Sequence, residues 1–165
     1  MVFKVVGPFL VPFTNNPGGK LISDKDVTSF WKSHSKYSKR RGCYTFGMKT
    51  GRGAMPGYVG KTGKSFKKEA FGLHQLKKYH EFMTEYAKGR PILFFVITPK
   101  SKGTANHKKI REVEKYLIDL SMTRNPNLRN KQDTDVPDWG IQGMVRGKKG
   151  KTSNGTKDFR KMLGI

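Results

Sequence analysis

Apolar positions recur along this chain at two spacings, and each spacing predicts a different kind of element. Residues 91–97 (PILFFVI) form an unbroken apolar run, the pattern of a strand buried on both faces and placed centrally in a sheet. Two shorter β-prone runs, at about 42–48 (GCYTFGM) and 57–62 (GYVGKT), are separated by a gap punctuated with Gly51, Gly53 and Pro56. That arrangement predicts a hairpin. The first thirteen residues are apolar but interrupted by Lys4, Pro8 and Pro12, which reads as an edge strand or an extended segment. Helical spacing appears elsewhere. Ser23-Asp24-Lys25-Asp26 caps a short helix carrying Val27, Phe30 and Trp31. Ser65 opens another with Phe66, Ala70 and Leu73 on one stripe, broken or kinked at Gly72, and a second stretch continues through Leu76, Tyr79, Met83 and Tyr86. Ile110, Val113, Leu117 and Leu120 mark a helix over about 105–123, which Asn125-Pro126-Asn127 ends. Residues 136–145 are glycine-broken and read as extended. The fold class expected is α+β: one domain over 1–165, with a central antiparallel or mixed sheet of at least three strands flanked by helices.

Charge changes the picture most. Thirty-four Lys and Arg stand against twelve Asp and Glu, a formal net charge of +22. A chain this lopsided repels itself when folded, and the polyanion that best accounts for it is nucleic acid. An anionic membrane is the weaker partner, because no long basic amphipathic helix and no lipidation motif is present. Two segments concentrate the charge. Residues 32–41 (KSHSKYSKRR), ending in Arg40 and Arg41, read as a solvated connector or as a phosphate-facing arm. Residues 146–165 read as a basic C-terminal tail, with Lys148, Lys149 and Lys151 in a glycine-rich, mobile stretch that tracks phosphates. That stretch lacks the spacing of a P-loop. Cys43 is the single cysteine, so no intramolecular disulfide forms and no zinc site can be built from cysteines. No apolar run has the length of a membrane span, and the N-terminus does not read as a signal peptide. An intracellular protein, cytoplasmic or nucleoid-associated, is the expectation.

The candidate chemistry sits on the hairpin. Gly42-Cys43-Tyr44 and Tyr58-Val59-Gly60 place one tyrosine on each strand, and Lys61, Lys64, Lys67 and Lys68 crowd the segment that follows. A phenol with an ordinary pKa near ~10 is a poor base unless nearby cations favour its ionised form, and these lysines supply such a field. On the helix through Ile110, a rotation of about 100° per residue puts Glu114 at the border of the apolar stripe and turns Glu112 almost opposite. Glu114 is therefore the carboxylate that faces the sheet.

At these residues the sequence resembles the GIY-YIG nuclease family. The resemblance covers about residues 42–131, leaving 1–41 as an N-terminal extension. It implies hydrolysis of a phosphodiester with one divalent cation, Mg²⁺ or Mn²⁺. Tyr44 would help to deprotonate the attacking water, Tyr58 would contribute to the phosphate site, and Glu114 would hold the metal. A single carboxylate suits Mg²⁺, which keeps most of its waters and takes phosphate oxygens as further ligands. The family's catalytic arginine on the first helix falls at Lys68 or Glu69 here. Lysine offers a point charge where arginine offers a fork, so Lys68 substitutes, an arginine arrives from Arg52, Arg111 or Arg129, or catalysis is weak. His74 lies where some relatives carry a residue that assists the nucleophile. Asn130, with Asn127 as its rival, stands for the family's downstream asparagine, and Trp139 reads as a buried anchor ahead of a base-stacking ring. The function implied is a metal-dependent endonuclease acting on DNA, with RNA as the other polymer. The alternative is a nucleic-acid-binding module on the same fold with little or no catalysis.

Overall fold

The computed structural model describes residues 1–99, 103–129, 139–144 and 152–165. The chain begins with strand β1 (Val2–Leu10), followed by a small hairpin of β2 (Thr14–Asn16) and β3 (Gly19–Leu21). Helix α1 (Asp24–Ser33) starts on a capping box in which Ser23 and Asp26 bond each other's backbone N–H. A short turn of helix, α2 (Ser35–Ser38), leads into the main hairpin, β4 (Gly42–Thr50) and β5 (Gly53–Thr62). Helices α3 (Phe66–Glu69) and α4 (Leu73–Glu85) follow, then β6 (Arg90–Ile97) and α5 (His107–Arg124). A two-residue strand β7 (Gly140–Ile141) and helix α6 (Asn154–Leu163) complete the described fold.

Five of these strands form one mixed sheet in the order β5-β4-β6-β1-β7. All neighbours are antiparallel except β1 and β7, which run parallel. The architecture is α+β, with helices on both faces. Strand β6 lies between β4 and β1, where its unbroken apolar run belongs. Ile92, Phe94 and Val96 face α5 and α6, while Leu93, Phe95 and Ile97 face α1, α3 and α4. The same alternation divides the hairpin: Cys43 and Val59 look toward α5, and Tyr44, Phe46 and Tyr58 look toward α4.

Three features differ from the sequence expectations, each for a local reason. β1 is an inner strand, because β7 pairs with Val2 and Phe3 on its far side. Leu73 is exposed, not on the stripe with Phe66 and Ala70. Gly72 ends one helical turn and begins the next, which resets the phase and buries Tyr79, Phe82 and Met83 instead. Finally, the second half of the supposed basic tail is α6, whose Phe159, Met162 and Leu163 are buried against the sheet.

Two histidines fasten the α1–α4 layer. His80 accepts the Ile22 N–H at 3.1 Å, and His34 packs its ring against Phe9 and Phe30. Burial holds both below their ordinary value. In such a case the unfolded chain takes up protons first, so stability is complete above about pH 6.5 and declines as pH falls toward the folded values. The melting temperature is expected to drop between pH 7.5 and 5.5, and His80→Gln to flatten that drop. A profile that is level for the parent would contradict this account.

Candidate functional site

Gly42 opens β4 because no other residue fits there. Its φ is +140°, and a Cβ would lie 2.1 Å from the Val96 carbonyl oxygen. β4 can therefore press against β6 at its first residue, and the next two positions alternate across the sheet. Cys43 turns toward α5, and its Sγ donates to the Ile110 carbonyl at 3.3 Å. Tyr44 turns the other way and pairs in register with Gly60. The absent side chain at Gly60 makes room for the ring, since a Cβ there would lie 2.5 Å from the Tyr44 phenol oxygen. Tyr58 sits two residues back on β5, its ring centroid 6.4 Å from that of Tyr44. The two signature tyrosines thus lie side by side on one face of the hairpin.

Gln75, in the first turn of α4, is half-buried, and its amide opposes the rise that burial imposes on both phenols. It escaped the sequence reading, although a signal exists. Gln75, Tyr79, Phe82 and Met83 share one helical face, and a polar side chain at an inward position on an apolar stripe needs a partner. Here it acts on the two tyrosines.

Glu114 approaches from α5. It is 7 % exposed, and its carboxylate pairs with the Lys61 ammonium on β5. Glu112 points elsewhere and pairs with Lys109 on its own helix. Helical phase therefore selects the buried glutamate. The Glu114 carboxylate adds to the rise of Cys43, Tyr44 and Tyr58 alike. Burial pushes the Tyr44 phenol well above its ordinary value, and Tyr58, Glu69 and Glu114 add to the rise against the opposing bond from Gln75. Burial raises Tyr58 as well, with Glu114 adding and Gln75 again opposing. The lysine field expected to favour a phenolate does not prevail, and both phenols stay protonated near neutral pH.

Two residues stand where the resemblance expects an arginine. Lys68 is exposed on α3, whereas Glu69 is the one that acts on Tyr44. The other arginines mostly have structural partners. Arg129 bonds Glu85 at 2.8 Å, and its backbone N–H bonds the Gly57 carbonyl. Arg52 lies in the hairpin turn, roughly 20 Å along the strand from Tyr44 at about 3.4 Å per residue. Arg111 is exposed on α5, one turn ahead of Glu114. Arg40 donates to the Thr98 carbonyl at 2.9 Å, and Arg41 to that of Gly103. The connector these two close is a packed corner, with Tyr37 against Phe9 and Phe95.

The remaining candidates lie mostly at the surface. Lys64 and Lys67 are exposed beside Lys68, and His74 is exposed on the first turn of α4. Asn127 bonds Glu85 at the surface, and Trp139 is buried against Tyr116. Asn125 does the structural work at the end of α5: its Nδ2 donates to the Pro56 carbonyl at 2.7 Å, two residues before Tyr58. Asn130, Lys148, Lys149 and Lys151 lie outside the described residues.

As to a metal, no group of three or more His, Cys, Asp or Glu converges among the described residues. A hydrated Mg²⁺ asks for one or two carboxylates and takes its other oxygens from water and phosphate. Glu114 meets that demand once Lys61, itself partly exposed, swings away. Also among the described residues, no helix is long and apolar enough to cross a membrane. Comparison of the chain with family models, with curated proteins and with solved structures finds no match.

Proposed function

We propose that this protein binds nucleic acid through its phosphate backbone, at the β5 edge that carries Lys61 and the lysines of the turn and helix after it. The observation that carries this reading is a division of labour between charge and rings. Lys61, Lys64, Lys67 and Lys68 are exposed along one short stretch beside the phenol pair. By contrast, none of the nineteen aromatic side chains is exposed, and all nineteen lie among the described residues. Proteins that hold single strands stack bases on exposed rings, and this surface has no ring to offer. What it offers is cations, which position a backbone without reading its sequence. Titrating a labelled duplex at several salt concentrations tests the reading. A dissociation constant that does not respond to salt would remove it.

A second reading, metal-dependent endonucleolytic cleavage of the GIY-YIG type, is favoured by one specific observation. Glu114 is a buried carboxylate that adds to the rise of both phenols, and its partner Lys61 is partly exposed. Bound there, Mg²⁺ or Mn²⁺ would supply Lewis-acid stabilisation of the phosphate and leaving oxygen. Glu114 would hold the ion, Tyr58 would donate to a phosphate oxygen, and Arg111 would be the nearest guanidinium on the same helix. If this reading holds, nicking of supercoiled plasmid with Mg²⁺ or Mn²⁺ is lost in Glu114→Ala and reduced at least tenfold, an order-of-magnitude figure, in Arg111→Ala. Intact plasmid with the parent protein, alongside salt-sensitive binding, leaves binding as the function.

A further inference from the structure

A hollow that the nucleic-acid reading leaves unused lies at the turn end of the β4–β5 hairpin, on the sheet face opposite the two tyrosines. It measures about 230 Å³ and opens between that turn, the central strand and α6. Its floor is apolar. Ile92 and Phe94 of β6 form it, with Pro8 of β1 and Ala54 of β5 beside them. The Phe94 ring is fixed in place, because the Phe159 ring lies 4.6 Å away and a Cβ on Gly7 would come within 3.1 Å of its Cδ1. The rim is charged. Lys49 of β4 and Lys161 of α6 stand on it, with Asp158 one turn before Lys161, and all three are exposed. None of these three side chains has a hydrogen bond or an ion pair among the described residues. Gly51 and Gly53 leave the turn side of the rim low, since a Cβ on either would meet nothing within 4 Å.

Size and charge together narrow what such a hollow accepts. An apolar cavity of about 150 Å³ holds a benzene ring, so this one has room for one or two fused rings. A rigid aromatic floor favours an aromatic body over an alkyl chain, because ring pairs gain from their quadrupoles as well as from burial. Two ammonium groups against one carboxylate leave the rim with a single net positive charge, which suits one anionic group. We infer that this hollow is a binding site for a small aromatic monocarboxylate, whose ring lies on Phe94 and Ile92 and whose carboxylate meets Lys49 and Lys161. Asp158 sets the limit on ligand charge, since a second anionic group would be repelled. The assignment is independent of the nucleic-acid reading and stands or falls without it.

The test titrates naphthalene-2-carboxylate into the full chain, labelled with ¹⁵N, and follows the backbone amide signals. Saturable binding is expected with a dissociation constant of about 1 mM, in keeping with a ligand of this size. The shifted signals should belong to the turn from Lys49 to Ala54 and to the neighbourhood of Asp158 and Lys161. Ala54→Leu, which fills the hollow, is expected to weaken binding at least about tenfold. Lys49→Gln and Lys161→Gln should each weaken it about threefold, and Asp158→Asn should strengthen it about twofold. Should Ala54→Leu fold poorly, the double variant of the two exposed lysines carries the test, with an expected loss of about tenfold. No saturation by about 10 mM would overturn the assignment. So would shifts that fall along residues 61–68, which would mean that the carboxylate follows the basic surface at large. Affinity unchanged in the double lysine variant, or displacement of the probe by a duplex of mixed sequence, would overturn it as well.

Discussion

Replacing Lys64, Lys67 and Lys68 together by glutamate is expected to weaken nucleic-acid binding on the order of a hundredfold near physiological salt. The size follows from counterion release. Each phosphate neutralised by a cation contributes about 0.9 to the slope of log affinity against log salt, so three lost contacts flatten the slope by about 2.7. Carried from molar salt, where such contacts contribute little, down to about 0.15 M, that difference in slope amounts to two powers of ten. All three side chains are exposed, and α3 is anchored by Phe66 rather than by them, so the melting temperature should barely move. Lys61 is deliberately left out, because its removal would strand the buried Glu114 carboxylate and mix a folding defect into the measurement. The matching control reverses Lys157, Arg160 and Lys161 on the outer face of α6, which changes the net charge by the same amount elsewhere. If the two triple variants lose affinity equally, the protein responds to overall charge and the hairpin edge is not the interface.

What could be read from the sequence, and what could not, divides along a physical line. Strand β6 and the hairpin were legible because their signals are dense: a continuous apolar run in one case, and paired β-prone runs punctuated by glycine in the other. Glu114 was legible because α5 has a clean stripe, and phase alone separates a border position from an outward one. Gln75 and Asn125 were missed because each acts on a residue far along the chain: Gln75 opposes the rise of Tyr58, and Asn125 bonds the Pro56 carbonyl. Periodicity finds faces, and it does not find polar partners. Arg40 and Arg41 show the reverse difficulty. Their charge invites a ligand, yet the fold brings two backbone carbonyls to them, and backbone carbonyls leave no mark on composition.

The most consequential misreading was α6, and it leads to the second large prediction. Its apolar positions, Phe159, Met162 and Leu163, are few and embedded among Lys157, Arg160 and Lys161, so composition suggested a solvated tail. Spacing of three and four residues nevertheless puts the apolar side chains on one face and the cations on the other. Ser153 caps the first turn by accepting the Thr156 N–H, and Gly164 ends the helix in the left-handed conformation at φ 76°. The Phe159 ring packs 4.6 Å from that of Phe94 on the central strand, and Gly155 lets the helix close on β1, since a Cβ there would lie 2.1 Å from the Gly7 carbonyl. Phe159→Ala is accordingly expected to cost about 3–5 kcal/mol, a large share of the roughly 5–15 kcal/mol that holds a domain together. Removing residues 152–165 exposes the sheet face that α6 covers and should abolish cooperative unfolding. Nucleic-acid binding by the truncated chain would then fail through loss of the fold, not of a few phosphate contacts. Urea denaturation followed by circular dichroism separates these causes. A truncated protein that keeps the parent's midpoint, and loses only affinity and salt slope, would return α6 to the role of a tail.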